Sequence, residues 1–113
     1  MVYTHKNLAG GEWQKLSFFE QLGNIGSEVG RAAKWQGKDE TAFRGAVSRA
    51  LELFDLTLED PRWRGRLREI ARSREVFCDA ISGGTLYHSA LRELEHYFYP
   101  YAFASRKALF EKL

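Results

Sequence analysis

From Ser17 onward the chain divides into four amphipathic stretches, each bracketed by a capping residue, a glycine or a proline. Apolar residues that recur every three to four positions share one face of a helix, and that face must be buried. Almost no sequence is left for strands or for long loops that could build a site. The pattern predicts an all-α protein, an up-and-down four-helix bundle. Residues 1–113 form one domain in this reading, with an irregular segment at 1–15. Leu8 and Trp13 are the residues of that segment expected to tuck against the body.

The first helix starts at Ser17. Ser17-Phe18-Phe19-Glu20 fits a capping box, with the serine on an orphan amide and Glu20 reaching back. Phe18, Leu22, Ile25, Val29, Ala32, Ala33 and Gln36 make its stripe, and Gly37 is a natural stop. Gly23, Gly26 and Gly30 lie inside this helix. Each costs about 1 kcal/mol against alanine, so a close helix approach is expected to compensate. The second helix runs from Asp39 or Thr41 to Glu59 on Phe43, Val47, Ala50, Leu51, Phe54 and Leu58. Asp60-Pro61 ends it and opens a third, Pro61 to Ser82, carrying Trp63, Leu67, Ile70, Phe77, Cys78 and Ile81. Gly83-Gly84 breaks that helix. The fourth starts near Ser89 on Leu91, Leu94, Phe98, Ala102 and Leu109. Pro100 is expected to kink it or to split it into residues 89–98 and 100–112.

The chain is 44% apolar and 28% charged, which suits an ordered globular fold rather than disorder. A single cysteine, Cys78, excludes an internal disulfide and suits a reducing compartment. It falls on the third stripe and is expected to be inert core. No leader-like segment and no run of membrane-spanning length is visible, so a cytoplasmic protein with no membrane partner is expected.

Two charges fall on apolar stripes. Arg74 is eleven residues after Trp63, within about 20° of it on a continuous helix. Glu95 lies about 40° from Leu91. A buried charge needs a partner, so the two are expected to pair with each other or to line a polar pocket. Asn24, Glu28, Asp55, Tyr99, Tyr101 and Arg106 flank the stripes and could join such a pocket. A second cluster is Arg62, Arg64, Arg66, Arg68 and Arg72. On one continuous helix Arg64, Arg68 and Arg72 form a row, with Arg62 and Arg66 in a second row beside it. Such rows can grip nucleic-acid phosphates, although Asp60, Glu69 and Glu75 interleave and the net charge is only +2.

No metal and no cofactor are expected. Glu52-Leu53-Phe54-Asp55 resembles half of the magnesium signature of helical nucleotide pyrophosphatases of the MazG type. The other half is missing, because Glu20 and Glu28 are eight apart, and Glu52 points nearly opposite Phe43, away from the core. His88 and His96 are also eight apart, twice the spacing of a two-histidine metal face. Arg92-Glu93-Leu94-Glu95-His96 is similar to the arginine–histidine signature of HEPN-class ribonucleases, but one residue short.

Four runs carry a wider resemblance: Phe19 to Ala32, Ala50 to Thr57, Arg72 to Asp79, and Tyr97 to Ala102. Together, over about residues 16 to 106, they resemble a family of small, uncharacterised bacterial helical proteins. That resemblance implies an all-helical fold, no assigned activity, and no site residues to carry over. The functional expectation is a non-enzymatic interaction or regulatory protein, a homodimer or the partner of another helical protein. The alternative is a nucleic-acid-binding or HEPN-like RNA-processing protein working through Arg62–Arg74.

Overall fold

The computed structural model describes residues 11–84 and 86–111. The readings made of Leu8 and of the side chain of Leu109 lie outside the described residues. Four α-helices dominate: α1 (Phe18–Trp35), α2 (Glu40–Leu58), α3 (Leu67–Ile81) and α4 (Leu91–Glu111). Short 3-10 turns occupy Trp13–Lys15 and Pro61–Arg66, and there is no strand among the described residues.

Local chemistry sets the helix ends. The Glu20 amide donates to Ser17 Oγ at 3.1 Å, and the Ser17 amide donates to Glu20 Oε1 at 3.1 Å. Beyond α1, Gly37 takes φ +76°, a left-handed conformation that side chains resist. Asp39 Oδ1 caps α2 by accepting from the Ala42 amide at 3.0 Å. Each such cap is worth about 1 kcal/mol.

The third helix departs from expectation. It begins at Leu67 rather than Pro61, because Trp63 is non-helical (φ −105°, ψ 23°). The cause lies in tertiary contacts. Trp63 Nε1 donates to Gln21 Oε1 on α1 at 2.8 Å, and its ring meets Phe18 edge-on at 5.0 Å. The chain gives up helical register to make them. The fourth helix passes through Pro100 as one element rather than two. Buried Phe98 on one side of Pro100, and Ala102 against Gly23 on the other, hold both segments to α1.

Helix α1 packs along both α2 and α4. Gly23, Gly26 and Gly30 face Ala102, Phe98 and Glu95 in turn, so α1 and α4 run antiparallel. A Cβ on Gly23 would stand 3.2 Å from Ala102 Cα, and one on Gly26 would collide with Phe98 Cβ. The glycines are therefore the contact surface between two backbones.

Phe54 centres the core, with ring centroids 5.8 Å from Phe77 and 6.2 Å from Phe98. Leu22, Ile25, Val29, Ile70, Leu91 and Leu94 close around them. The buried arc of α2 is displaced from its expected position. Ala46, Ala50, Leu53, Phe54, Leu56 and Thr57 are buried, whereas Phe43, Val47, Leu51 and Leu58 are only partly so. Trp13 packs against this displaced arc and donates from Nε1 to Thr57 Oγ1 at 2.9 Å. Two expectations fail with it. Glu52 does not point away from the core but is 6% exposed. Cys78 is half-buried rather than core.

Candidate interaction surface

Arg74 and Glu95 do not meet. Arg74 Nε donates to Asp55 Oδ1 at 2.9 Å and ties α3 to α2, with both side chains partly exposed. Glu95 turns to the opposite side of α4, where its Oε2 lies 2.6 Å from the place a Cβ on Gly30 would occupy. The expected pairing fails because Arg74 reaches across to α2, whereas Glu95 faces Gly30 of α1. Glu28 is also a joint between helices. It is buried and accepts from Arg31 at 2.6 Å and from Arg49 of α2 at 3.1 Å. A buried carboxylate answered by two guanidinium groups is a structural solution to burying charge.

Four of the other candidates do gather. Asn24, Glu95, Tyr99 and Arg106 line two adjoining hollows of about 260 and 150 Å3 along the α1–α4 seam. Gly23, Ser27 and Ala102 border both. Glu95 is half-buried, while Asn24, Tyr99 and Arg106 are exposed. Ser27, a hydroxyl that borders both hollows, donates to the Gly23 carbonyl of its own helix at 3.2 Å. No group of three His, Cys, Asp or Glu that could hold a metal occurs among the described residues. Asp55 and Glu28, the would-be chelators beside Glu52, are engaged by Arg74, Arg31 and Arg49.

The basic rows also dissolve. Arg62 folds back to donate to Asp60 Oδ2 and to the Leu16 carbonyl, each at 2.7 Å, and stacks over Trp63 at 4.4 Å. Arg66 lies over the Phe18 ring at 4.0 Å and pairs with Glu69 at 3.5 Å. The second row therefore serves internal contacts. The break at Trp63 removes Arg64 from the register of Arg68 and Arg72. These three remain exposed, without an ion pair among the described residues, and Arg72 covers the Tyr87 ring at 5.2 Å. Arg92 and His96 are exposed on α4, and His96 touches Tyr99 at 5.1 Å.

One polar network had no signal in the sequence. Gln21, wholly buried, donates from Nε2 to the Trp13 carbonyl at 2.8 Å and to Asp60 Oδ2 at 3.0 Å. Through Trp63 Nε1, Gln21 Oε1 is satisfied as well. The Arg62 guanidinium beside Asp60 holds that carboxyl below its usual range, against the opposing effect of burial. Every polar atom named here is satisfied, so the network locks three segments, the Trp13 turn, α1 and the Asp60–Trp63 turn, rather than awaiting a ligand. Nothing in the spacing distinguishes Gln21 from a surface glutamine. Asp60 is legible as a cap alone. Elsewhere, burial above all, then Tyr97 and Glu69, push the Tyr101 phenol well above its ordinary value.

What remains is an aromatic surface. Phe103 is 70% exposed and Tyr99 54%, one turn apart on the outer side of α4. Phe19 and Tyr97 are exposed as well. No helix among the described residues is long and apolar enough to cross a membrane. No family model, no curated protein and no solved structure matches this chain.

Proposed function

We propose that this chain is a non-enzymatic helical interaction protein. It is an up-and-down four-helix bundle, kinked at Pro100, that acts as a cytoplasmic homodimer and belongs with the small bacterial helical proteins it resembles. The observation that carries this reading is the outward pair Tyr99 and Phe103 on α4. Water-exposed aromatic rings a turn apart are costly in isolation and are the residue types that anchor interfaces. Across a twofold axis the pair is used twice, and each buried ring contributes about 2 kcal/mol. The kink rests on the missing amide of Pro100 and on the crowding of its ring against the preceding turn.

Sedimentation equilibrium of the wild type and of Phe103→Glu tests it. The wild type should weigh twice the chain mass, and the variant should fall to monomer with its helical circular dichroism unchanged. A wild type that stays monomeric at several hundred micromolar refutes the dimer.

A second reading draws on Arg64, Arg68 and Arg72, which are exposed and lack acidic partners among the described residues. In it the chain contacts nucleic acid, with Arg92 and His96 as the RNA-processing pair. Replacing the three arginines with alanine should then weaken binding and reduce its salt slope. Unchanged binding removes this alternative.

A further inference from the structure

The exposed face of α4 extends beyond Tyr99 and Phe103. Arg92, His96, Tyr99, Phe103 and Arg106 are all exposed and follow one another at steps of four, three, four and three. That alternation is the heptad spacing by which one helix seats another along a single seam. Charge is not spread evenly along its edges. Glu93 flanks one edge toward the N-terminal end, and Lys107 flanks the same edge toward the C-terminal end. Glu95 flanks the other edge, the side to which Arg106 leans. Glu93, Glu95, Arg106 and Lys107 form no ion pair among the described residues.

We infer that two copies of the chain pair through α4 in antiparallel register, with the twofold axis level with residue 101. This rests on the homodimer reading above and adds the helix, its direction and the charges that fix both. Tyr99 of each copy then stands level with Phe103 of the other. Glu93 meets Lys107 of the second copy along one edge, and Glu95 meets Arg106 of the second copy along the other. The axis repeats each contact, so two kinds of pair become four pairs. His96 shares the level of Arg106 with Glu95, and Arg92 falls level with the uncharged Phe110. In a parallel arrangement each carboxylate would stand beside its own copy, and so would each cation, and like charges set side by side repel.

Sedimentation equilibrium at low salt, on the wild type and three variants of the full chain, tests this. Glu93→Lys/Glu95→Lys and Arg106→Glu/Lys107→Glu each turn all four attractions into repulsions. An exposed pair is worth about a factor of two to three, so each double variant should weaken the dimer roughly thirtyfold or more. Combining the four substitutions in one chain restores opposite charges at every pair, and that dimer should return to within about threefold of wild type. High salt should bring both double variants toward wild type. Double variants that dimerise as tightly as the wild type overturn the inference while leaving the homodimer standing on another register. A combined variant no tighter than the doubles overturns it as well. A monomeric wild type refutes the homodimer and this register with it. Helical circular dichroism checks each variant, and either double variant decides the matter if the other disturbs the helix.

Discussion

Three alanine substitutions along α1 should separate, although the sequence treats them alike. At Gly23, Gly26 and Gly30, alanine gains about 1 kcal/mol of helix propensity. What each new methyl group meets decides the sign. At Gly30 it meets Glu95 Oε2 at 2.6 Å, the far end of a flexible half-exposed side chain. That carboxylate can swing into solvent, so Gly30→Ala should stabilise by up to about 1 kcal/mol. At Gly26 the methyl group meets Phe98 Cβ, which cannot move without its backbone, and Phe98 is buried. Overpacking of this kind costs about 1–3 kcal/mol, and it pushes α4 away from its longest contact. Allowing for propensity, Gly26→Ala should lose up to about 2 kcal/mol. Gly23→Ala meets Ala102 Cα at 3.2 Å and should fall near zero. At roughly 4 °C per kcal/mol for a chain of this size, Gly26→Ala and Gly30→Ala should differ by about 8 °C in Tm. Thermal and urea unfolding followed by circular dichroism measures this. A Gly26→Ala variant as stable as Gly30→Ala refutes the claim that these glycines are the α1–α4 contact.

Other perturbations have defined outcomes. Asp60→Ala takes one acceptor from Gln21, which keeps the Trp13 carbonyl, and the carboxylate from the partly exposed Arg62, and should cost about 1–3 kcal/mol in urea unfolding. The Asp60 carboxyl is held below its unfolded value of 3.8, so its contribution is complete above that value. It is lost as pH falls through the lower folded value, and Asp60→Asn should flatten this acid limb of stability. Gln21→Leu orphans the Trp63 indole N–H and leaves the Trp13 carbonyl with the Leu16 amide alone, and it should cost about 1–3 kcal/mol. Arg74→Met should cost under about 1 kcal/mol, because its pair with Asp55 is partly exposed. A loss of several kcal/mol there would show that the pair sets helix register after all.

The candidate site was only partly readable from residue spacing. Spacing puts Asn24, Tyr99 and Arg106 beside the stripes and Glu95 on one, and two of those stripes do face each other across the α1–α4 seam. Arg74 takes Asp55 and not Glu95, because a helical wheel places a residue on its own helix but does not say which neighbour that side meets. A wheel also holds only while the register is unbroken, and the break at Trp63 takes Arg64 out of its row. Spacing leaves Gln21 undistinguished and points Glu52 outward, yet both are buried. A polar side chain is buried when a neighbour from elsewhere in the chain covers it, and single-helix spacing carries no record of that neighbour.

Elements and ends belong to the sequence by itself. Four helical stripes, the Ser17–Glu20 box, the Asp39 and Asp60 caps and the Gly37 stop are local, set by side chains within one turn of the backbone they serve. Only the tertiary structure decided which faces meet. It gave α1 both α2 and α4 as neighbours and shifted the buried arc of α2 toward Trp13. It also bent the Trp63 turn out of α3. Packing and hydrogen bonds between segments distant along the chain outweigh propensity where they compete, so these outcomes exist only once the helices are assembled.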